Sequence, residues 1–146
     1  MKAVVNGKIV LKNGVLENKV IVFDKKIIDI CDKLPTNCEI IDAKGNYVCT
    51  GLIDIHIHGC NGFDAMDEDE NAVEIISKGL VETGVTSFLP TTMTMSPERI
   101  YKAFDNIIKA KNKSIKGAKV LGAHMEGPFI SPAKKGAQAA ENIMPC

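Results

Sequence analysis

Two histidines stand two residues apart at the end of an apolar run, in "GLIDIHIHGCNG" at residues 51–62. In a strand, side chains alternate faces, so Asp54, His56 and His58 share one side while Ile53, Ile55 and Ile57 share the other. A sheet does not bury such a polar row without partners, because each group taken from water unpaired is costly. A second set lies in "LGAHMEG" at residues 121–127, where alternation puts Gly122, His124 and Glu126 on one side. If both segments are neighbouring strand ends, His56, His58 and Glu126 converge. Two imidazoles and a carboxylate are donors for a borderline divalent ion, zinc first, with iron or another divalent ion as alternatives. Each piece has a plainer explanation on its own. An HxH is more often a pair of hydrogen-bonded histidines than a metal site, and a lone Glu is often solvated or paired with a cation. The joint placement favours the ion. His124, one pleat deeper than Glu126, reads as a supporting residue more than a ligand, Asp54 as a group that orients its neighbours, and Cys60 as a small apolar loop residue.

The elements that would position these groups change character near residue 50. Residues 1–50 hold short β-rich runs punctuated by turns, with a hairpin turn expected at Asp24 to Lys26, and are expected to form part of a small sheet or sandwich. Residues 51–146 alternate strand, helix, strand, helix, strand. In "DEDENAVEIISKGLVETG", Ala72, Ile75, Ile76, Gly79 and Leu80 fall at helical spacing and Gly84 marks the stop. "VTSFLPTT" reads as a strand. "SPERIYKAFDNIIKAKNK" reads as a helix with Ser96 as N-cap, Pro97 in the first turn, and Ile100, Ala103, Phe104, Ile107 and Ile108 as the buried stripe; its basic end is a solvated terminus. Repeated βα units imply an α/β fold, a parallel sheet or a (β/α) barrel, whose ligands gather at the carboxyl ends of the strands. His56 and His58, Thr91 and Thr92, and His124 and Glu126 all sit there.

Composition narrows the classes. Of 146 residues, 45% are apolar, which is enough for a core. Lys plus Arg and Asp plus Glu each number 18, so there is no basic field for nucleic acid and no polybasic patch for a membrane surface. The amino-terminal residues are too interrupted by Gly, Asn and Lys for a signal peptide, and no apolar run reaches membrane-spanning length, so a cytoplasmic setting is expected. Five cysteines without a CxxC pair suggest reduced thiols in place of a disulfide framework.

"GLIDIHIHG" after a β-rich segment resembles the amidohydrolase superfamily. "GVTSFLPTT" and above all "LGAHMEGPFISPAKKGAQ" resemble, within it, the N-acetylglucosamine-6-phosphate deacetylases, over about Met1 to Pro145. HxH is shared with dihydroorotases and adenine deaminases; the "HMEGPFI" and "KKGAQ" stretches discriminate. The resemblance implies a metal-dependent (β/α)8 barrel beside a β-sandwich built from both chain ends. It implies removal of the acetyl group from N-acetylglucosamine 6-phosphate, a small-molecule amino-sugar phosphate, to give glucosamine 6-phosphate and acetate in amino-sugar catabolism. It also implies His56, His58 and Glu126 as metal ligands, Ala137 and Gln138 as substrate contacts, and a homo-oligomer in the full-length form. The family's general acid, an aspartate, and two further metal-binding histidines belong to later strands, so no catalytic acid is assigned here. Residues 51–146 fall far short of the about 250 that a closed barrel needs, so about three βα units of an incomplete barrel are expected. The chain is then a truncated product, a gene fragment or one piece of a split assembly, inactive alone. Two alternatives stay open: a non-catalytic metal-binding fragment, or the N-terminal part of another amidohydrolase of the dihydroorotase or adenine deaminase type.

Overall fold

Apolar β-branched runs cut by asparagine and glycine make strands the only regular structure of the first fifty residues. In the computed structural model, which describes all of residues 1–146, Met1–Thr50 and Gly51–Cys146 are two compact units. The first contains β1 (Lys2–Val5), β2 (Lys8–Leu11), β3 (Gly14–Leu16), β4 (Val20–Phe23), β5 (Ile27–Cys31), β6 (Glu39–Asp42) and β7 (Tyr47–Val48). They form a four-stranded sheet in the order β5-β4-β1-β6 and a three-stranded sheet in the order β3-β2-β7. β2 with β3, β4 with β5 and β1 with β4 are antiparallel, whereas β1 with β6 and β2 with β7 are parallel. Asn6, Asn18 and Asn37 take positive φ (56°, 57° and 62°) in the connections, a conformation that asparagine tolerates better than most residues. The Asp24 N–H donates to the Lys26 carbonyl (3.0 Å) where β4 turns into β5. Ala3, Val20 and Val22 are the buried centre of the larger sheet, with Val5, Cys31 and Cys38 packed against them.

The second unit runs β8 (Leu52–Ile57), β9 (Gly59–Cys60), β10 (Phe63–Asp64), α1 (Ala72–Leu80), β11 (Val85–Thr92), α2 (Pro97–Asn112), β12 (Lys119–Val120) and β13 (His124–Met125), then short 3-10 turns at Pro132–Lys134 and Ala140–Asn142. β11 is central. It pairs in parallel with β8 on one edge and with β12 and β13 on the other, so β12 and β13 are two pieces of one strand interrupted at 121–123. The Leu121 N–H still donates to the Phe88 carbonyl (3.0 Å), which keeps the pieces in line. No α-helix follows β13, so two βα units are complete and the third is a strand with 3-10 turns.

Both helices cover the same sheet. Val73, Ile76 and Leu80 of α1 and Ile107 and Ala110 of α2 enclose Phe88 and Val85 of β11 and Val120 of β12, with Ile57 of β8 against the cluster. Within α1 the buried positions include Val73, while Ile75 is only half-buried. Within α2 Ile108 is 55% exposed, and Asn106 is buried instead. Asn106 lies inside because its side-chain Nδ2 donates to the Asp67 and Glu68 carbonyls (3.3 and 3.4 Å). Gly84 ends the 3-10 turn (Val81–Thr83) that follows α1, at φ 84°, a conformation that favours glycine. No helix is long and apolar enough to cross a membrane.

Candidate metal centre

The strand ends on either side of β11 deliver the polar groups. Ile57 turns toward the helix-side core, which leaves His56 and His58 to meet each other at Nε2, 3.3 Å apart. Glu126, just past β13, reaches both: its Oε2 lies 3.1 Å from His56 Nε2 and 2.9 Å from His58 Nε2. Ile53 and Ile55 are exposed, so the apolar half of the alternation is covered only at Ile57. β8 is paired with β11 alone, with irregular register between Val85 and Pro90, which fits this incomplete cover.

The supporting contacts assign the protons. A backbone carbonyl can only accept, so His58 Nδ1 carries hydrogen and donates to the Thr91 carbonyl (3.1 Å). In the neutral ring that leaves a lone pair on Nε2, aimed at Glu126. His124 Nδ1 likewise donates to the Ile55 carbonyl (3.0 Å), and its ring meets the His56 ring edge-on, centroids 4.6 Å apart. Thr91, fully buried, also accepts the Ile57 N–H through Oγ1 (3.0 Å) and so grips the residue between the two histidines. Asp54 accepts the His56 N–H (3.0 Å). Cys60 packs on the core beside α1. Partial burial pushes the Glu126 carboxyl up in pKa, but the Gln138 amide and the two imidazoles outweigh it, so the net direction is below the ordinary carboxylate value.

Nε2 of His56, Nε2 of His58 and a Glu126 carboxylate oxygen, facing one another at these distances, are a group that could hold a positive centre between them. An ion held tetrahedrally with bonds of about 2.0–2.1 Å spaces its ligands about 3.3 Å apart, and the observed separations of 3.3, 3.1 and 2.9 Å are close to that. The donor set therefore fits a divalent ion with borderline nitrogen and oxygen preference.

The other residues singled out in the sequence lie on the loop after β13. Ala137 is exposed and Gln138 is buried, at 5% exposure. Gln138 Oε1 accepts the Thr94 N–H (2.8 Å), which orients the amide so that Nε2 serves both Met93 Sδ (3.7 Å) and Glu126. This links the loop after β11 to the loop after β13. Gly127 takes φ 76°, and a Cβ there would collide with the Thr94 hydroxyl, so glycine lets the chain turn directly behind Glu126. Sequence reasoning missed the Thr91 and Thr94 contacts, since nothing in residue type shows where a buried threonine points. It also missed the β9–β10 hairpin, for which a signal existed. Asn61-Gly62 take φ 54° and 79°, the paired positive values of the favoured two-residue hairpin turn.

The amidohydrolase family pattern matches residues 47–145. The N-acetylglucosamine-6-phosphate deacetylase of Bacillus subtilis (strain 168) is 40% identical over 149 aligned residues, covering 98% of this chain and 37% of that protein. Among solved structures, N-acetylglucosamine-6-phosphate deacetylase from Pasteurella multocida superposes with a TM-score of 0.84 at 33% identity, covering 98% of this chain and 38% of that one. The corresponding protein of Thermotoga maritima gives 0.77 at 27% identity, covering 99% and 37%. The chain thus spans little more than a third of the length of the relatives it matches.

Proposed function

Because the chain belongs to the amidohydrolase family, we propose that it is the metal-holding N-terminal portion of a deacetylase. The substrate in this reading is N-acetylglucosamine 6-phosphate, converted to glucosamine 6-phosphate and acetate. One observation carries it: His56, His58 and Glu126, from strand ends on opposite sides of β11, bring three donors within 3.3 Å, in a chain aligned over nearly its whole length with such deacetylases. Dihydroorotases and adenine deaminases share only the HxH with the sequence signature, whereas residues 121–138 favour the amino-sugar enzymes. Residues 1–50 are read as one part of a small β-sandwich domain, and residues 51–146 as the first strands of a (β/α)8 barrel.

His56, His58 and Glu126 would hold a divalent ion, zinc by donor type with iron as the alternative, and such an ion would supply polarisation of the amide carbonyl and activation of water near neutral pH. The chain's own residues do the holding. His58 presents Nε2 because the Thr91 carbonyl occupies its other nitrogen. The Glu126 carboxyl lies below its ordinary value, because hydrogen bonding from Gln138 and the two imidazoles outweighs the upward push of its partial burial. Ala137 and the Gln138 region form the rim assigned to the sugar. All three histidines of the chain are already placed at this site, so further imidazole ligands, and the acid that protonates the departing amine, are assigned to residues outside 1–146. A missing acid forfeits about 10² to 10⁴ in rate, so these 146 residues alone are read as inactive. Five free thiols suit a reducing, cytoplasmic setting; self-association of the full-length protein rests on the resemblance alone.

The test is zinc titration paired with acetate release from N-acetylglucosamine 6-phosphate. The chain is expected to bind zinc in a manner lost in His56→Ala, His58→Ala and Glu126→Ala, with no turnover above the His56→Ala control. Zinc binding indifferent to all three substitutions refutes the metal reading. Robust His56-dependent acetate release refutes the assignment of the acid elsewhere.

A further inference from the structure

We propose that His124 is a positioning residue that fixes the His56 imidazole for metal capture, an inference that rests on the metal reading above. The two histidines of the HxH are not held alike. The far nitrogen of His58 donates to the Thr91 carbonyl (3.1 Å), which sets both its tautomer and its ring plane. His56 has ring hydrogen-bond contacts at Nε2 only, toward His58 and Glu126, and its side chain is 45% exposed. A ligand imidazole ordinarily gives its second nitrogen to a carbonyl, carboxylate or water that holds the ring in place. For His56 that restraint comes from a ring. His124 lies edge-to-face on it, centroids 4.6 Å apart and planes at 76°, within the range of favourable aromatic pairs.

His124 can serve because it is itself anchored twice. Its backbone sits opposite Thr91 in the parallel ladder of β11. Its Nδ1–H donates to the carbonyl of Ile55, the residue just before His56. The side chain thus crosses over β11 and ties the strand that leads to Glu126 to the strand that carries His56. Two residues on, Glu126 meets the same imidazole from the other side of the cluster. His56 is thereby held between a ring that fixes its plane and a carboxylate 3.1 Å from its Nε2.

The experiment uses the intact chain and two readouts. Metal-free protein labelled with 15N reports the histidine ring resonances and side-chain couplings. In His124→Ala, His56 is expected to show rotamer averaging while His58, held by Thr91, keeps the wild-type pattern. Zinc affinity, measured by competition with a chromophoric chelator, is expected to fall about 10- to 100-fold in His124→Ala, as for other lost supporting partners of metal ligands. His124→Phe, which restores a ring but no donor, is expected to bind zinc more tightly than His124→Ala. An unchanged His56 signal in metal-free His124→Ala, equal averaging of His58, or wild-type zinc affinity overturns the proposal. Failure of the metal reading is separately visible: His56→Ala would then leave zinc binding intact, while the metal-free spectra would still report on His124.

Discussion

Replacing Thr91 by valine should damage the site from beneath while leaving its shape almost unchanged. Thr91 is fully buried at the end of β11. Its Oγ1 accepts the Ile57 N–H at 3.0 Å and donates to the Leu89 carbonyl at 3.2 Å. Valine fills nearly the same space but can do neither, so the backbone N–H between His56 and His58 loses its acceptor. A buried polar group left unpaired costs about 1–3 kcal/mol, and each kcal/mol lowers the melting midpoint of a domain this size by about 4–8 °C. The effect should also reach metal binding, because a shift of Ile57 moves the histidines on either side of it. Thr91→Ser is the control: it keeps the oxygen and removes only a methyl group, worth about 1 kcal/mol. Calorimetric melting and zinc titration of both variants are the assays. The expected order is wild type, then serine, then valine in stability, with zinc affinity preserved in serine. If valine matches wild type and serine is the weaker variant, methyl packing and not the hydroxyl is what β11 needs there, and the reasoning fails.

Phe88→Ala should cost about 3–5 kcal/mol, because the ring is fully buried between both helices. Ile108→Ala, at 55% exposure, should stay within about 0.5 kcal/mol; equal losses in urea unfolding would contradict the packing described. Gly127→Ala combines a left-handed backbone cost of about 1–2 kcal/mol with a clash against the Thr94 hydroxyl. It should weaken zinc binding by displacing Glu126, and unaltered affinity would show that the turn does not place the carboxylate. The Glu126 carboxyl titrates below its ordinary value in the fold, so its stabilising contribution is fully present above the unfolded value of about 4.3 and disappears as pH falls through the lower folded value. The urea midpoint of metal-free wild type should therefore approach that of Glu126→Gln as pH drops below about 4.3; a gap that widens on acidification would reverse the sign.

Periodicity made the second unit readable, because helices and strands that bury one face must repeat their apolar residues. Ile76, Leu80, Ile100 and Ile107 are inside as that spacing requires. It misled at Ile108, whose place in the core goes to Asn106 because α2 also closes over the carbonyls of Asp67 and Glu68. A tertiary hydrogen bond of that kind leaves no trace in an apolar repeat. The third strand was readable as a whole, but its break at 121–123 was not, since β12 and β13 are short pieces held by β11. At the site, the types and alternation of His56, His58 and Glu126 made their convergence readable from the sequence. The carbonyls of Thr91 and Ile55 that orient His58 and His124 could not, because every residue has a carbonyl and only the fold decides which imidazole meets it.

The donors that converge at the site are far apart along the chain: His56 and Glu126 are separated by 70 positions, with α1, β11 and α2 all between them. An ion gripped by both is a cross-link that closes a long loop. For a loop of that length the entropy denied to the unfolded chain is worth about 4 kcal/mol in the chain-entropy picture, comparable with the whole stability of a small domain. The same ion would then act twice, as a reagent and as a staple. Chelation would slacken the closure of β8 and β13 around β11, and loading would protect β11 amides from hydrogen exchange far from the ligands themselves.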